Sequence, residues 1–189
     1  MRIAVLALQG AFAEHRQMLH RLGVESFEVR QLADWQQSKD ALIIPGGEST
    51  VQASLLGKQN LLLPIREAVQ NGLPVFGTCA GLILLAKQVE HELNERIATM
   101  DIEVKRNAYG RQLGSFNTEA SFADVMVPMT FIRAPYISKV SDGVRVLSEV
   151  DGRIVAAREQ QQLVTAFHPE LTENIFVHKY FLQMIQGNV

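Results

Sequence analysis

Apolar positions along this chain change their rhythm near its middle. The first half alternates short unbroken apolar runs with stretches of helical spacing. Ile3–Leu8 is one such run, as a strand covered on both faces requires. Phe12, His15, Leu19 and Leu22 then recur at helical intervals and predict a helix over Phe12–Leu22, with Gly23 as its stop. Ser26–Arg30 and Ala41–Ile44 read as the next two strands, the second closed by Pro45-Gly46-Gly47. Ser49–Leu56 opens a helix, with Glu48, Ser49 and Thr50 suited to its first turn. Leu62–Val69 is another helix, Pro74–Phe76 a further strand, and Ala80–Val89 a helix.

The second half reads mostly as strands: Ile97–Val104, Thr130–Ile137, Val144–Val150, Arg153–Ala157 and Leu163–Phe167. Asp151-Gly152 between two of them is a strong hairpin signal, and Asn174–Ile185 closes the pattern as a helix. Alternating strands and helices predict a mostly parallel central sheet covered on both faces, and the later strands an antiparallel extension. At 189 residues, with no linker or repeat, the expectation is one α/β domain over residues 1–189.

Charge and cysteine content narrow the functional classes. The formal net charge is −2 and no Lys/Arg run occurs, so the footprint of a nucleic-acid binder is missing. The apolar run at the start is too short to span a membrane, and no signal-peptide pattern accompanies it. A single Cys cannot form an internal disulfide, which fits a cytoplasmic protein.

That cysteine, Cys79, stands in Phe76-Gly77-Thr78-Cys79-Ala80-Gly81, where a strand should become a helix. Gly-x-Cys-x-Gly is the cysteine form of a nucleophile elbow, and a helix N-terminus favours thiolate. A buried structural thiol between glycines is the competing reading. A nucleophile needs a base, and the base an orienting group. Of five histidines, His15, His20, His91 and His178 read as surface, boundary or packing residues. His168 differs, because it follows an apolar strand and precedes Pro169-Glu170. Proline biases His168 toward extended geometry, and in an extended segment His168 and Glu170 face the same side; a His-Pro turn with a surface Glu is the competing reading, and the cysteine elbow favours the first. Pro45-Gly46-Gly47-Glu48-Ser49-Thr50 leaves backbone N–H groups free at a helix start. It suits a turn, an anion nest or, beside a thiolate, an oxyanion donor from Gly47 partnered by Ala80, each donor worth about 3–4 kcal/mol. The Gly-Lys-Ser/Thr of a nucleotide-binding loop is absent, as are metal-ligand spacings.

With these pieces in place, the chain resembles the class I (triad) glutamine amidotransferases, and more closely the PdxT/YaaE-type glutaminase subunits of pyridoxal 5′-phosphate synthase. The matching stretches are LALQGAFAEH (6–15), PGGEST (45–50), FGTCAGLILLAK (76–87), RNAYGRQ (106–112), FIRAP (131–135) and AFHPELT (166–172). Gly114 departs from the acidic residue expected at its place. The resemblance implies a three-layer, flavodoxin-like fold. It implies Cys79 as nucleophile, His168 as base and acid, and Glu170 as orienting carboxylate. It places glutamine against Gly46, Gly47, Glu48, Arg106, Ile132 and Arg133. An arginine suits the substrate α-carboxylate because its planar fork binds it bidentately. The implied reaction is hydrolysis of L-glutamine to glutamate and ammonia through a Cys thioester, without metal or organic cofactor. The implied partner is a barrel-fold synthase subunit that consumes the ammonia and activates the glutaminase. A cysteine hydrolase on the same architecture and a non-catalytic subunit are the alternatives, and the presence of Cys79, His168 and Glu170 together with PGGEST counts against both.

Overall fold

The computed structural model describes residues 1–92, 94–106 and 115–189. The first half runs β1 (Arg2–Leu6), α1 (Phe12–Arg21), β2 (Glu25–Val29), α2 (Leu32–Trp35), β3 (Ala41–Ile44), α3 (Ser49–Lys58), α4 (Leu62–Gln70), β4 (Val75–Thr78) and α5 (Ala80–Leu85). The second runs β5 (Ala86–Val89), β6 (Met100–Lys105), β7 (Ser115–Phe122), β8 (Val125–Ile132), β9 (Tyr136–Val140), β10 (Arg145–Val150), β11 (Arg153–Glu159), β12 (Gln162–Thr165) and α6 (Phe176–Ile185). A 3-10 turn at Pro169–Leu171 precedes α6.

Among the described residues the main sheet has ten strands in the order β2-β1-β3-β4-β12-β11-β9-β6-β5, with β10 paired to β11. From β2 to β12 every pairing is parallel. The pairs β12–β11, β11–β10, β11–β9 and β9–β6 are antiparallel, and β6–β5 is parallel again. Every residue of β3 and β4 is buried, as is all of β1 but Arg2; such strands need cover on both faces. The parallel block with its antiparallel extension is therefore the one the apolar pattern predicts. The Asp151-Gly152 loop also matches: both residues have positive φ, 51° and 70°, and Val150 pairs directly with Arg153, as in a two-residue primed turn.

Three expectations fail in instructive ways. The helix expected over Ala80–Val89 stops at Leu85 and continues as β5. Its last carbonyls, on Leu84 and Leu85, accept from Ala98 and Thr99 at 3.0 and 2.9 Å, so the incoming chain replaces the next helical turn. The single strand expected over Thr130–Ile137 is two strands, β8 and β9, broken at 133–135, where Arg133 has φ 43°. Its first part pairs with β7, a strand the apolar pattern did not predict, to make a separate hairpin. That hairpin is tied back by Phe122, whose ring meets the edges of Phe167, Phe176 and Tyr180.

Candidate active site

Cys79 occupies the junction of β4 and α5 with φ 47° and ψ −95°, a conformation that costs of order 1–3 kcal/mol for a residue bearing a Cβ. The fold around it leaves little choice. Its backbone N–H donates to Thr165 of the neighbouring strand β12 at 2.8 Å. A Cβ on Gly81 would stand 2.2 Å from the Ile44 carbonyl oxygen, and one on Gly77 2.7 Å from the Gly81 carbonyl carbon. The glycines flanking the cysteine therefore let helix and strands close on one another. Room at the sulfur itself comes from Gly46, where a Cβ would lie 2.2 Å from His168 Cε1 and 3.3 Å from Cys79 Cβ.

His168 is held by its own N–H donating to Thr130 of β8 at 2.8 Å. Its Nδ1 bonds Glu170 Oε1 at 2.8 Å, and the ring lines the same cleft as Cys79. Because Glu170 takes Nδ1, Nε2 is the nitrogen left for the sulfur. The pair meets as expected, by a different local route. His168 itself is near-extended (φ −107°, ψ 85°), but Pro169–Leu171 forms a 3-10 turn, closed by Leu171 N–H donating to the His168 carbonyl at 3.2 Å. Burial alone would push His168 down; the interactions with Cys79 and Glu170 outweigh it and raise its pKa to about 10. Burial opposes ionisation of Glu170, yet the imidazoles of His15 and His168 beside its oxygens hold its carboxyl below the usual range.

Cys79 and His168 form the floor of a cleft of about 410 Å³, lined by Gly46, Gly47, Glu48, Arg106, Ile132 and Arg133 among others. Of the residues singled out from sequence, Ala80 and Glu170 do not line it; both are buried behind its wall. The Ile132 carbonyl oxygen lies 4.0 Å from Cys79 Sγ. Glu48 caps α3, accepting from Thr50 N–H at 3.3 Å. At the rim Arg106 reaches Glu92 Oε2 at 2.9 Å and Glu48 Oε1 at 3.3 Å. The stretch 107–112 and Gly114 lie outside the described residues.

His15, read from sequence as a surface or boundary residue, is misplaced: it is wholly buried. His178, read as a packing or surface residue, is also wholly buried, and the two are bonded, His15 Nδ1 to His178 Nε2, at 2.9 Å. His15 Nε2 lies 3.1 Å from Thr78 Oγ1 and 3.6 Å from Glu170 Oε2. The Thr78 hydroxyl also accepts from Gly46 N–H at 2.8 Å. Burial lowers both imidazole pKa values, His178 to about 3. The usable signal was position: in the helical spacing of α1, His15 falls on the same stripe as Leu19, the face that packs inward. Gln9 was also missed. Its Oε1 accepts from Glu48 N–H at 2.8 Å and its carbonyl from Gln52 at 2.8 Å, which fixes the loop holding Gly47.

Comparison with known proteins bears on the family and the fold. The family described as the SNO glutamine amidotransferase family matches residues 5–187. A protein of Streptococcus pneumoniae (strain CGSP14) named pyridoxal 5′-phosphate synthase subunit PdxT is 58% identical over 188 residues, covering 97% of each chain. A solved structure described as a glutamine amidotransferase superposes with a TM-score of 0.92 at 40% identity, covering 97% of this chain and 98% of that one. PurLQS from Thermotoga maritima shares the fold at a TM-score of 0.70 and 17% identity, covering 98% of this chain and 97% of that one.

Proposed function

The chain belongs to the SNO glutamine amidotransferase family, and from that premise we propose that it is the glutaminase subunit of a pyridoxal 5′-phosphate synthase. It hydrolyses L-glutamine to glutamate and ammonia and supplies the ammonia to a synthase subunit. The observation that carries the reading is that Cys79 and His168 line one cleft together with Gly46, Gly47, Glu48 and Ser49, while Glu170 holds the His168 imidazole from behind by a 2.8 Å bond.

In this reading the Cys79 thiol proton passes to His168, Sγ attacks the side-chain amide carbon of glutamine, and the imidazolium delivers that proton to the departing ammonia. Water activated by the now neutral imidazole then cleaves the thioester. Glu170 keeps the His168 Nδ1 proton in place and balances the imidazolium. The backbone N–H groups of Gly47 and Ala80 receive the two oxyanions. Gly46, Gly47, Glu48, Arg106, Ile132 and Arg133 hold the substrate, with Arg106 exchanging its longer contact, to Glu48, for the α-carboxylate. Residues 1–189 act as one glutaminase domain, and the continuous buried core from β1 to α6 supports that. The partner is a barrel-fold synthase, and the location is cytoplasmic. Among the described residues no helix is long and apolar enough to cross a membrane.

The test is glutamate release from L-glutamine, with and without the synthase subunit, for the parent and for Cys79→Ala. Release that rises with the partner and vanishes in the variant supports nucleophile, reaction and partner together. Release indifferent to the partner keeps the chemistry and overturns the subunit assignment. No release under either condition overturns the reading.

A further inference from the structure

Behind the triad lies a polar path that the reaction as written does not use. It starts at His178 on α6, crosses to His15 on α1, and ends between Thr78 of β4 and the Glu170 carboxylate. Its surroundings are apolar: both imidazoles meet the Phe76 ring edge-on, with centroids 5.9 and 5.7 Å apart. Two fully buried imidazoles amid aromatic rings are expensive unless their polar atoms are engaged.

The bonding pattern fixes their protons. His178 Nδ1 has no hydrogen-bond partner. A buried donor left without an acceptor costs more than an idle lone pair, so His178 carries its proton on Nε2 and donates it to His15 Nδ1. His15 Nδ1 is then an acceptor, and its own proton resides on Nε2. That N–H faces Thr78 Oγ1 at 3.1 Å and Glu170 Oε2 at 3.6 Å. The opposite assignment would turn a lone pair toward the carboxylate and strand a proton on His178 Nδ1. Glu170 Oε2 has no other partner, and at 3.6 Å the contact is that of an aimed N–H dipole rather than a full bond.

We propose that His15 is a positioning residue of the glutaminase reaction: held by His178 as a neutral Nε2–H tautomer, it presents that N–H to the second oxygen of Glu170 and to Thr78. The inference rests on the triad reading of the previous subsection. Glu170 has one oxygen committed to His168; the dipole on the other keeps the carboxylate plane aligned with the imidazole while the charge on His168 comes and goes. Through the Thr78 hydroxyl, which accepts from Gly46 N–H at 2.8 Å, the same N–H registers the carboxylate against the residue that precedes Cys79 and against the glycine loop. α1 and α6 thereby act on the chemistry without touching substrate.

The test uses the chain with its synthase partner and measures kcat and KM for glutamine in the parent, His15→Met, His15→Gln and Cys79→Ala. Methionine fills the space without a donor, and glutamine restores an N–H near the Nε2 position. His15→Met should lower kcat about tenfold, the size expected for losing one aimed donor to a charged group, with KM within about twofold. His15→Gln should recover most of that loss. Equal kcat in His15→Met and parent, or no advantage of Gln over Met, overturns the inference. A parent without Cys79-dependent release overturns the triad reading instead, so the two failures are distinct. ¹⁵N imidazole shifts of the parent protein give a readout that needs no variant to fold. Neutral Nε2–H forms at His15 and His178 across pH 6–8 are expected; an Nδ1–H or doubly protonated His15 overturns the assignment.

Discussion

The floor and the rim of the cleft solve different problems with similar residue types. On the floor and directly beneath it, Cys79, His168 and Glu170 are no more than 6% exposed and His15 is fully buried. At the rim, the side chains of Glu48 and Arg106 are 47% and 29% exposed, and they stand 3.3 Å apart. Inside, each polar group has a fixed neighbour and little water to screen it, so a small displacement alters both charge and geometry. Outside, an ion pair of this kind contributes about 0.2–1 kcal/mol and gives way readily to a competing carboxylate. The floor is built to hold one arrangement, and the rim to exchange partners.

The largest effects should follow from disturbing the floor. Cys79→Ala should lower glutamine turnover by at least about a thousandfold while the protein melts close to the parent temperature. Gly46→Ala tests geometry alone, since its new Cβ would lie 2.2 Å from His168 Cε1. A displaced imidazole should reduce kcat about a hundredfold. The matching substitution away from the cleft is Gly57→Ala in α3, where a Cβ meets nothing within 4 Å. It should leave kcat alone and stabilise the protein by up to about 1 kcal/mol. If Gly46→Ala retained full activity, the floor would be more tolerant than its packing indicates.

Much of the floor was legible in the sequence because its determinants are local. A cysteine between small residues at a strand end, and a His-Pro-Glu after an apolar strand, carry their geometry in a few consecutive positions. Even so, the route was misread at Pro169–Leu171, where a 3-10 turn rather than an extended segment joins His168 to Glu170. His15 and His178 are 163 residues apart in the chain, and no local pattern announces that pairing. The break in Thr130–Ile137 hid for a related reason. Its apolar residues satisfy one strand, but the change of pairing partner from β7 to β6 is a long-range event.

The same floor should dominate the pH dependence of stability. His168 rises from an ordinary 6.5 to about 10 in the folded protein. Its contribution is therefore full below pH 6.5 and is lost as pH climbs through about 10. His178 falls from 6.5 to about 3, so its contribution is full above pH 6.5 and fades as pH falls toward 3. Glu170, lowered from 4.5, adds to the loss on the acid side. Melting temperature should peak between pH 6 and 7 and drop on both sides, each kcal/mol moving it about 2–4 °C. His168→Gln should flatten the alkaline limb and keep the part of the acid limb that His178 supplies, while the part from Glu170 shrinks because His168 helps depress it. An unchanged alkaline limb would mean that His168 does not hold its proton against Glu170 and Cys79.

The smallest effect on the molecule, though not on its substrate, should come from the rim. Arg106 is anchored on one side by Glu92, whose side chain is 8% exposed and bonded at 2.9 Å, and touches Glu48 more loosely on the other. Arg106→Lys keeps the charge and removes the fork. Stability should change little, with a melting temperature within about 2 °C of the parent, because lysine keeps a positive charge beside Glu92 and the pair with the exposed Glu48 contributes little. Binding should change more on the proposed role of Arg106, since a lysine offers the α-carboxylate of glutamine a point charge in place of a planar pair of donors. KM for glutamine should rise about tenfold with kcat within about twofold, the pattern of an interaction made equally in ground and transition states. Raising ionic strength should weaken glutamine binding in both proteins and narrow the gap between them. A fall in kcat with KM unchanged would instead place Arg106 with the floor, acting on the reacting amide, and the division between the two regions would have to be redrawn.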